Sequence, residues 1–392
     1  MANPRAIENH SQNNDQNGMS KIPLAVVMVP FPAQGHVNPL LHLSRLVSAY
    51  DIPVHFVGTT AHNRRAQIRV QGWDPLAVAN IQFHNFPTPP SSNTFPDSDS
   101  SGHLQLLKST INLREPVYNL VDKLSATAGK IVVIYDSHLP YVVQDIRSIP
   151  NAESYCFQSI SAFTLYSFYQ IGKDQQLLPS EAQIVKEVPS FEGCFLPEQV
   201  ELSNNLNKAP KFNSGDIYNT CRVIEGLYID LLAKEKCTGT DKNWAIGPFN
   251  PVSLPEKRDS EIRHKSLDWL DKQEPNSVIF VSFGSTSSLS DEQIKEIAFG
   301  LERSEAKFIW PRNAFLVTKV LKIGVELKNW DRRDELISSI RVEKAVRTLM
   351  NSGEGDEIRK RVTELGNAVK KSLVEGGVTK KEMDSFIAHI SK

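Results

Sequence analysis

"LAVVMVPFPAQGHVNPLLHLSRLV", residues 24–47, passes from an unbroken apolar run through a turn of Pro, Gly and polar side chains into apolar residues at helical spacing. The run is far short of the ~18 residues a membrane span needs and reads as a strand buried on both faces, which is what a parallel sheet requires. Asn38 is a suitable helix N-cap and Pro39 a suitable first helical residue, with Leu40, Leu43 and Val47 set to face the sheet. Gly35 is expected to let the backbone bend sharply between the two. A buried strand that turns directly into a helix is the opening of a βαβ unit, so the fold class is α/β.

Further strand-like runs follow outward from this unit: "VHFVG" (54–58), "IQFHNF" (81–86), "IVVIYD" (131–136) and "ESYCFQ" (153–158), separated by helical patterns. The alternation predicts a parallel sheet wrapped by helices. The basic run "HNRRAQIR" (62–69) reads as the solvated face of one of those helices. The Ser/Pro-rich stretch at 86–103 is too long for an ordinary connection; it either lines a binding site or is a plain insertion.

Residues 247–276 are rich in Pro and charge and read as a linker, which leaves a first domain at 24–246 and a second at 277–392. The second opens with a buried strand and small-residue turn, "SVIFVSFGS" (277–285). A helix at 290–304 follows, with Ser290 and Gln293 as a capping box and an apolar stripe of Ile294, Ile297, Ala298 and Leu301. "KFIW" (307–310) should be the next strand, yet Pro311 begins a helix-like pattern with no turn residue between. Strand-to-helix connections ordinarily take about 2 to 6 residues. Either a block is missing between Trp310 and Pro311, or the second domain is short and irregular.

With 44 basic and 45 acidic residues among 392, the net charge of −1 provides no global field for nucleic acid or an anionic membrane, so neither is expected as a partner. Cys156, Cys194, Cys221 and Cys237 form no CxxC or Cys/His cluster, which argues against a zinc site and fits a reducing, cytoplasmic setting. Residues 1–23 are polar and Asn/Gln-rich and lack the apolar core of a signal peptide; a disordered tail is expected there.

Three places could carry chemistry. His36 lies at the carboxyl end of the first strand, where open α/β sheets bind ligands, and is either a functional imidazole or a polar loop residue. Asp136 ends the fourth strand at the same sheet edge; it could fix the tautomer of His36 and leave the other ring nitrogen as a base, or cap the helix beginning near Pro140. The "SFGS" turn (282–285) offers backbone N–H groups ahead of a helix, which suits a phosphate, but the sequence holds neither G-x-G-x-x-G nor a Walker loop.

"VPFPAQGHVNPLLHLSRL", "SLDWLDKQEPNSVIFVSFGS", "DEQIKEIAFGLERS" and "KFIW" together resemble the plant family of UDP-dependent glycosyltransferases, over roughly residues 24–392. "YDSHLP", "SIPNAESYCFQSISAF", "YNTCRVIEG", "WAIGPFNPV" and "EMDSFIAHI" look like the branch that glycosylates the side-chain hydroxyl of the cytokinin zeatin. The resemblance implies two Rossmann-like domains facing a cleft, the GT-B arrangement, with a small acceptor such as zeatin held by the first and a UDP-sugar co-substrate by the second. It also implies His36 as catalytic base, Asp136 as its orienting partner, and Gly284, Ser285 and Thr286 against the diphosphate, with no metal and no separate cofactor. The departure is at Trp310: the stretch that in this family carries the nucleotide-sugar signature box is absent, and the chain resumes at "PRNAFLVTKVLKIG" (311–324). A truncated second domain is therefore expected. The rival reading is a catalytically inactive relative that binds a hydroxylated ligand or a protein.

Overall fold

The computed structural model describes residues 22–69, 74–76, 78–87, 102–173, 197–206, 213–249, 265–281, 290–309 and 335–392. Its first part alternates β1 (Ile22–Val29), α1 (Gln34–Ser48), β2 (Val54–Thr59), α2 (Thr60–Arg69), β3 (Ile81–Phe86), α3 (Gly102–Ser109), α4 (Arg114–Ser125), β4 (Ala128–Asp136), α5 (Pro140–Val143), β5 (Ala152–Gln158) and α6 (Ala162–Lys173). After α7 (Pro197–Leu206) come β6 (Asp216–Tyr218), α8 (Arg222–Lys234) and β7 (Asn243–Ala245). The seven strands form one parallel sheet in the order β3-β2-β1-β4-β5-β6-β7. All five strands expected from the apolar runs are present; β6 and β7 were not anticipated.

Strand alternation divides the core in two. Leu24, Val26 and Met28 of β1 join Val132 and Ile134 of β4 on one face, where Leu40, Leu43 and Val47 of α1 cover them. Ala25, Val27 and Val29 join Ile131, Val133 and Tyr135 on the other, under Val117 and Val121 of α4. Burying each Val, Leu or Ile fully contributes about 1.5–3 kcal/mol, so the pairing register, Val26 opposite Val132 and Val54, is strongly specified. The basic run of α2 is solvated as expected, with Arg64 and Arg65 exposed.

One local expectation is overturned. Helix α1 begins at Gln34, with Ala33 in the N-cap position and Pro39 inside the helix. His36 and Val37 both donate backbone N–H groups to the Ala33 carbonyl at 2.9 Å, so His36 belongs to the first helical turn. Pro39 cannot donate to the Gly35 carbonyl, but Gly35 is exposed and water can take that bond. Gly35 is not needed for a bend: its φ is not positive, and an added Cβ would meet nothing within 4 Å.

The second part contains α9 (Lys265–Leu270), inside the stretch read as linker, then β8 (Val278–Phe280), α10 (Asp291–Arg303), β9 (Lys307–Ile309), α11 (Ser339–Asn351), α12 (Gly353–Leu373) and α13 (Val378–Ile390). β8 and β9 pair in parallel as a two-stranded sheet. Ser290 caps α10 by accepting from Gln293 N at 3.2 Å. The reciprocal half of the capping box is not made, because the Gln293 amide instead spans to the backbone of Ile337. Ile297 and Leu301 pack on Val342 and Val346 of α11, whereas Ile294 is 46% exposed and Ala298 is exposed too, which halves the expected stripe. Phe299 (54%), Leu336 (51%) and Ile340 (65%) are also open to solvent. The Trp310–Pro311 junction and the helix-like pattern that follows it lie outside the described residues.

Helix α13 packs away from this small cluster. Met383, Phe386, Ile387 and Ile390 join the core of the seven-stranded sheet, where Phe386 meets Tyr155 and Trp244 edge-on at 5.6 and 5.2 Å. Glu382 fixes its angle by accepting from Ala245 N at 2.6 Å and pairing with Arg222.

Candidate active site

Parallel strands deliver their last residues, and the first turns of the following helices, to one edge of the sheet. At that edge β1 leads through Phe31 to His36, and the adjacent β4 ends at Asp136. His36 Nδ1 lies 2.8 Å from Asp136 Oδ2; the imidazole is 17% exposed and the carboxylate not at all. The contact expected from sequence is therefore made. Burial by itself would raise the Asp136 pKa, but His36 and His138 outweigh it and hold the carboxyl well below the usual carboxylate range. An ionised carboxylate can only accept, so the proton on His36 resides on Nδ1 and Nε2 is left as the basic nitrogen. Burial pushes the His36 pKa down, yet the Asp136 charge and hydrogen bond prevail and the net shift is upward.

The alternative role of Asp136 as a cap for α5 is not taken, since Leu139 occupies that position. Its second oxygen, Oδ1, instead receives His138 N at 3.0 Å and stands 2.9 Å from His138 Nδ1. Ser159, just beyond β5, places Oγ 2.9 Å from His36 Nδ1 and shares that hydrogen with Asp136. The buried Phe31 ring meets His36 edge-on at 5.2 Å and stacks on His138 at 5.0 Å, and the two imidazoles meet edge-on at 4.9 Å.

His138 and Ser159 were not singled out from sequence. A signal for the first existed: an Asp followed two residues later by the residue it binds is the pattern of an Asx turn. Ser159 becomes visible only once β5 is known to neighbour β4. Gly284, Ser285 and Thr286, expected at the diphosphate, lie outside the described residues.

The ligand-type atoms of His36, Asp136 and His138 lie within 4.8 Å of one another. Hydrogen bonds account for that grouping, each Nδ1 facing its own carboxylate oxygen. Pro30, Pro32, Val37, Phe56, His62 and Thr110 line a narrow apolar cleft at the same edge. A wider cleft lined by Lys130, Asn151, Glu153, Lys242 and His389 opens at the strands' amino ends, on the far side of the sheet from the His36–Asp136 pair.

A family model described as the glycosyltransferase N-terminal domain matches residues 23–251. The chain is 39% identical to zeatin O-glucosyltransferase of Phaseolus lunatus over 466 aligned positions, covering 97% of this chain and 99% of the relative. It is 38% identical to zeatin O-xylosyltransferase of Phaseolus vulgaris, covering 94% and 98%. An alignment of 466 positions is longer than the 392 residues available, so the Phaseolus lunatus protein carries stretches with no counterpart here. In fold, the chain is similar to Phytolacca americana UGT2 complexed with UDP-2fluoro-glucose and pterostilbene, at a TM-score of 0.73 and 18% identity, covering 94% of this chain and all of the other.

Proposed function

This chain belongs to the plant UDP-dependent glycosyltransferase family, whose fold is GT-B, and from that membership we propose that it transfers glucose or xylose from a UDP-sugar to the side-chain hydroxyl of zeatin or a similar small acceptor. The observation that carries the reading is the 2.8 Å bond between His36 Nδ1 and Asp136 Oδ2 at the ligand-binding edge of the sheet.

In this reading His36 Nε2 takes the proton of the acceptor hydroxyl while Asp136 steadies the imidazolium that forms. The freed oxygen attacks the anomeric carbon from the face opposite UDP. The new C–O bond forms as the bond to the diphosphate breaks, UDP leaves with the electron pair, and the configuration inverts. Positive charge gathers on the sugar ring on the way. Gly284, Ser285 and Thr286 are proposed to meet the leaving diphosphate with backbone and hydroxyl donors, a role that calls for no metal and no resident cofactor. Cys156, Cys221 and Cys237 form no disulfide among the described residues, which supports a reducing, cytoplasmic location.

A second reading, an inactive relative that keeps the acceptor pocket, is favoured by the aligned stretches this chain lacks and by the exposed Ile294, Phe299 and Ile340 in its second part. One experiment separates the two. The purified chain is incubated with zeatin and either UDP-glucose or UDP-xylose, with product sought by mass, alongside His36→Ala and a version carrying a relative's signature-box segment after Trp310. Product from the short chain that vanishes in His36→Ala supports transfer. Silence in the short chain with product from the lengthened one supports the inactive relative. Product that persists in His36→Ala removes the proposed base.

A further inference from the structure

The acid partner of His36 has a second customer. Asp136 is wholly buried, and its two oxygens are divided between two imidazoles: Oδ2 faces His36 at 2.8 Å, and Oδ1 faces His138 at 2.9 Å while also receiving the His138 backbone N–H at 3.0 Å. We propose that His138 is a positioning residue which locks the Asp136 carboxylate toward His36 and, by sharing its single negative charge, limits how firmly that carboxylate holds a second proton on His36. This deepens the reading of His36 as a base and rests on it.

The physical argument has two parts. The first is geometric: the backbone and side chain of His138 clamp one oxygen from within an Asx turn, so the carboxylate cannot rotate without losing two hydrogen bonds. Phe31, buried and stacked on His138, keeps that ring in register, and the same Phe31 ring abuts His36. The second is electrostatic. A buried carboxylate serving one imidazole alone would favour the imidazolium strongly, and a base that is already protonated cannot take a proton from an acceptor. Donors from His138 neutralise part of the carboxylate's field before it reaches His36. The charged and titratable groups that shift His36 and Asp136 are each other and His138; Ser159 and Phe31, which also touch His36, are neutral.

The test follows the proton on His36 directly. The full chain is labelled with ¹³C,¹⁵N-histidine, and the His36 imidazole signal, assigned by its loss in His36→Asn, is followed with pH in the parent, His138→Ala and His138→Phe. Removing His138 should raise the His36 midpoint by about half a pH unit or more, the scale of a nearby-charge effect diluted by water entering the gap. His138→Phe keeps a ring to stack on Phe31 but carries no donor, and it bears the test if His138→Ala does not fold. An unchanged or lowered midpoint in the folded variant overturns the proposal. The readout needs no sugar transfer, so a raised midpoint in a chain that makes no product would sink the proposed activity and leave this coupling standing.

Discussion

His36 has to hold a proton only briefly, and its surroundings pull on that proton in opposite senses. Because its pKa lies above the ordinary 6.5, kcat/KM measured on a transferring form of the chain should fade as pH falls through a midpoint above 6.5, where the imidazole is already occupied. His36→Ala should lower transfer about 10²- to 10⁴-fold above that midpoint, the usual contribution of a general base, and by less below it. A different histidine governs acid stability. His55 is buried on β2 with Nδ1 2.9 Å from His84 Nε2, and burial, with His84 beside it, pushes its pKa down to about 4. Its neutral form is the one that fits, so its contribution is intact above pH 6.5 and is lost as pH falls from there through about 4. His55→Asn should therefore flatten the decline of melting temperature between pH 6.5 and 4; an equally steep decline would absolve His55. His36 and Asp136 were legible in the sequence because each follows an apolar run, and a strand's end is a fixed address in an α/β fold. Ser159 was not, because its importance lies in which strands are neighbours, and the Asx-turn spacing that ties His138 to Asp136 marks a turn without marking its bearing on His36.

At the level of single elements, caps and anchors make the sharpest predictions. The Ser290 hydroxyl holds the Gln293 N–H at the start of α10, and Ser290→Ala should cost about 1 kcal/mol in denaturant unfolding of the second part. Phe386 is fully buried between Tyr155 and Trp244, so Phe386→Ala should cost about 3–5 kcal/mol, and the loss should register in unfolding of the seven-stranded sheet rather than of the β8–β9 cluster. Strands of the first part with six or more residues were read from their apolar runs, and β8 and β9 from their settings ahead of and after a helix, whereas "DIY" and "NWA" hold two apolar residues each and show no period. The start of α1 was misplaced for a different reason. Asn38 and Pro39 form a strong local start signal, but the Ala33 carbonyl had already collected two N–H donors ahead of them, and an exposed Gly35 made the proline tolerable.

For the molecule as a whole, the contrast is between two parts of unequal completeness. The first builds two extensive cores on a seven-stranded sheet; the second gathers Ile297, Leu301, Val342 and Val346 over two short strands and leaves Phe299 and Ile340 in water. The chain should accordingly unfold in two steps by calorimetry, with dye-binding apolar surface present before the first, and a single sharp transition at the temperature of an intact domain pair would contradict this. That the second part is the smaller was readable from the abrupt meeting of "KFIW" with Pro311, since too few strand-like runs follow it. Where α13 would settle was not readable, because a helix's apolar stripe says that it is covered and not by what. Its place on the first core bears on biosynthesis. Trp244 and Ala245 leave the ribosome long before Phe386 and Glu382, and at roughly 5–20 residues per second the gap is on the order of ten seconds. Throughout that interval the nascent sheet waits with its α13 groove open, a window in which a chaperone has something apolar to hold.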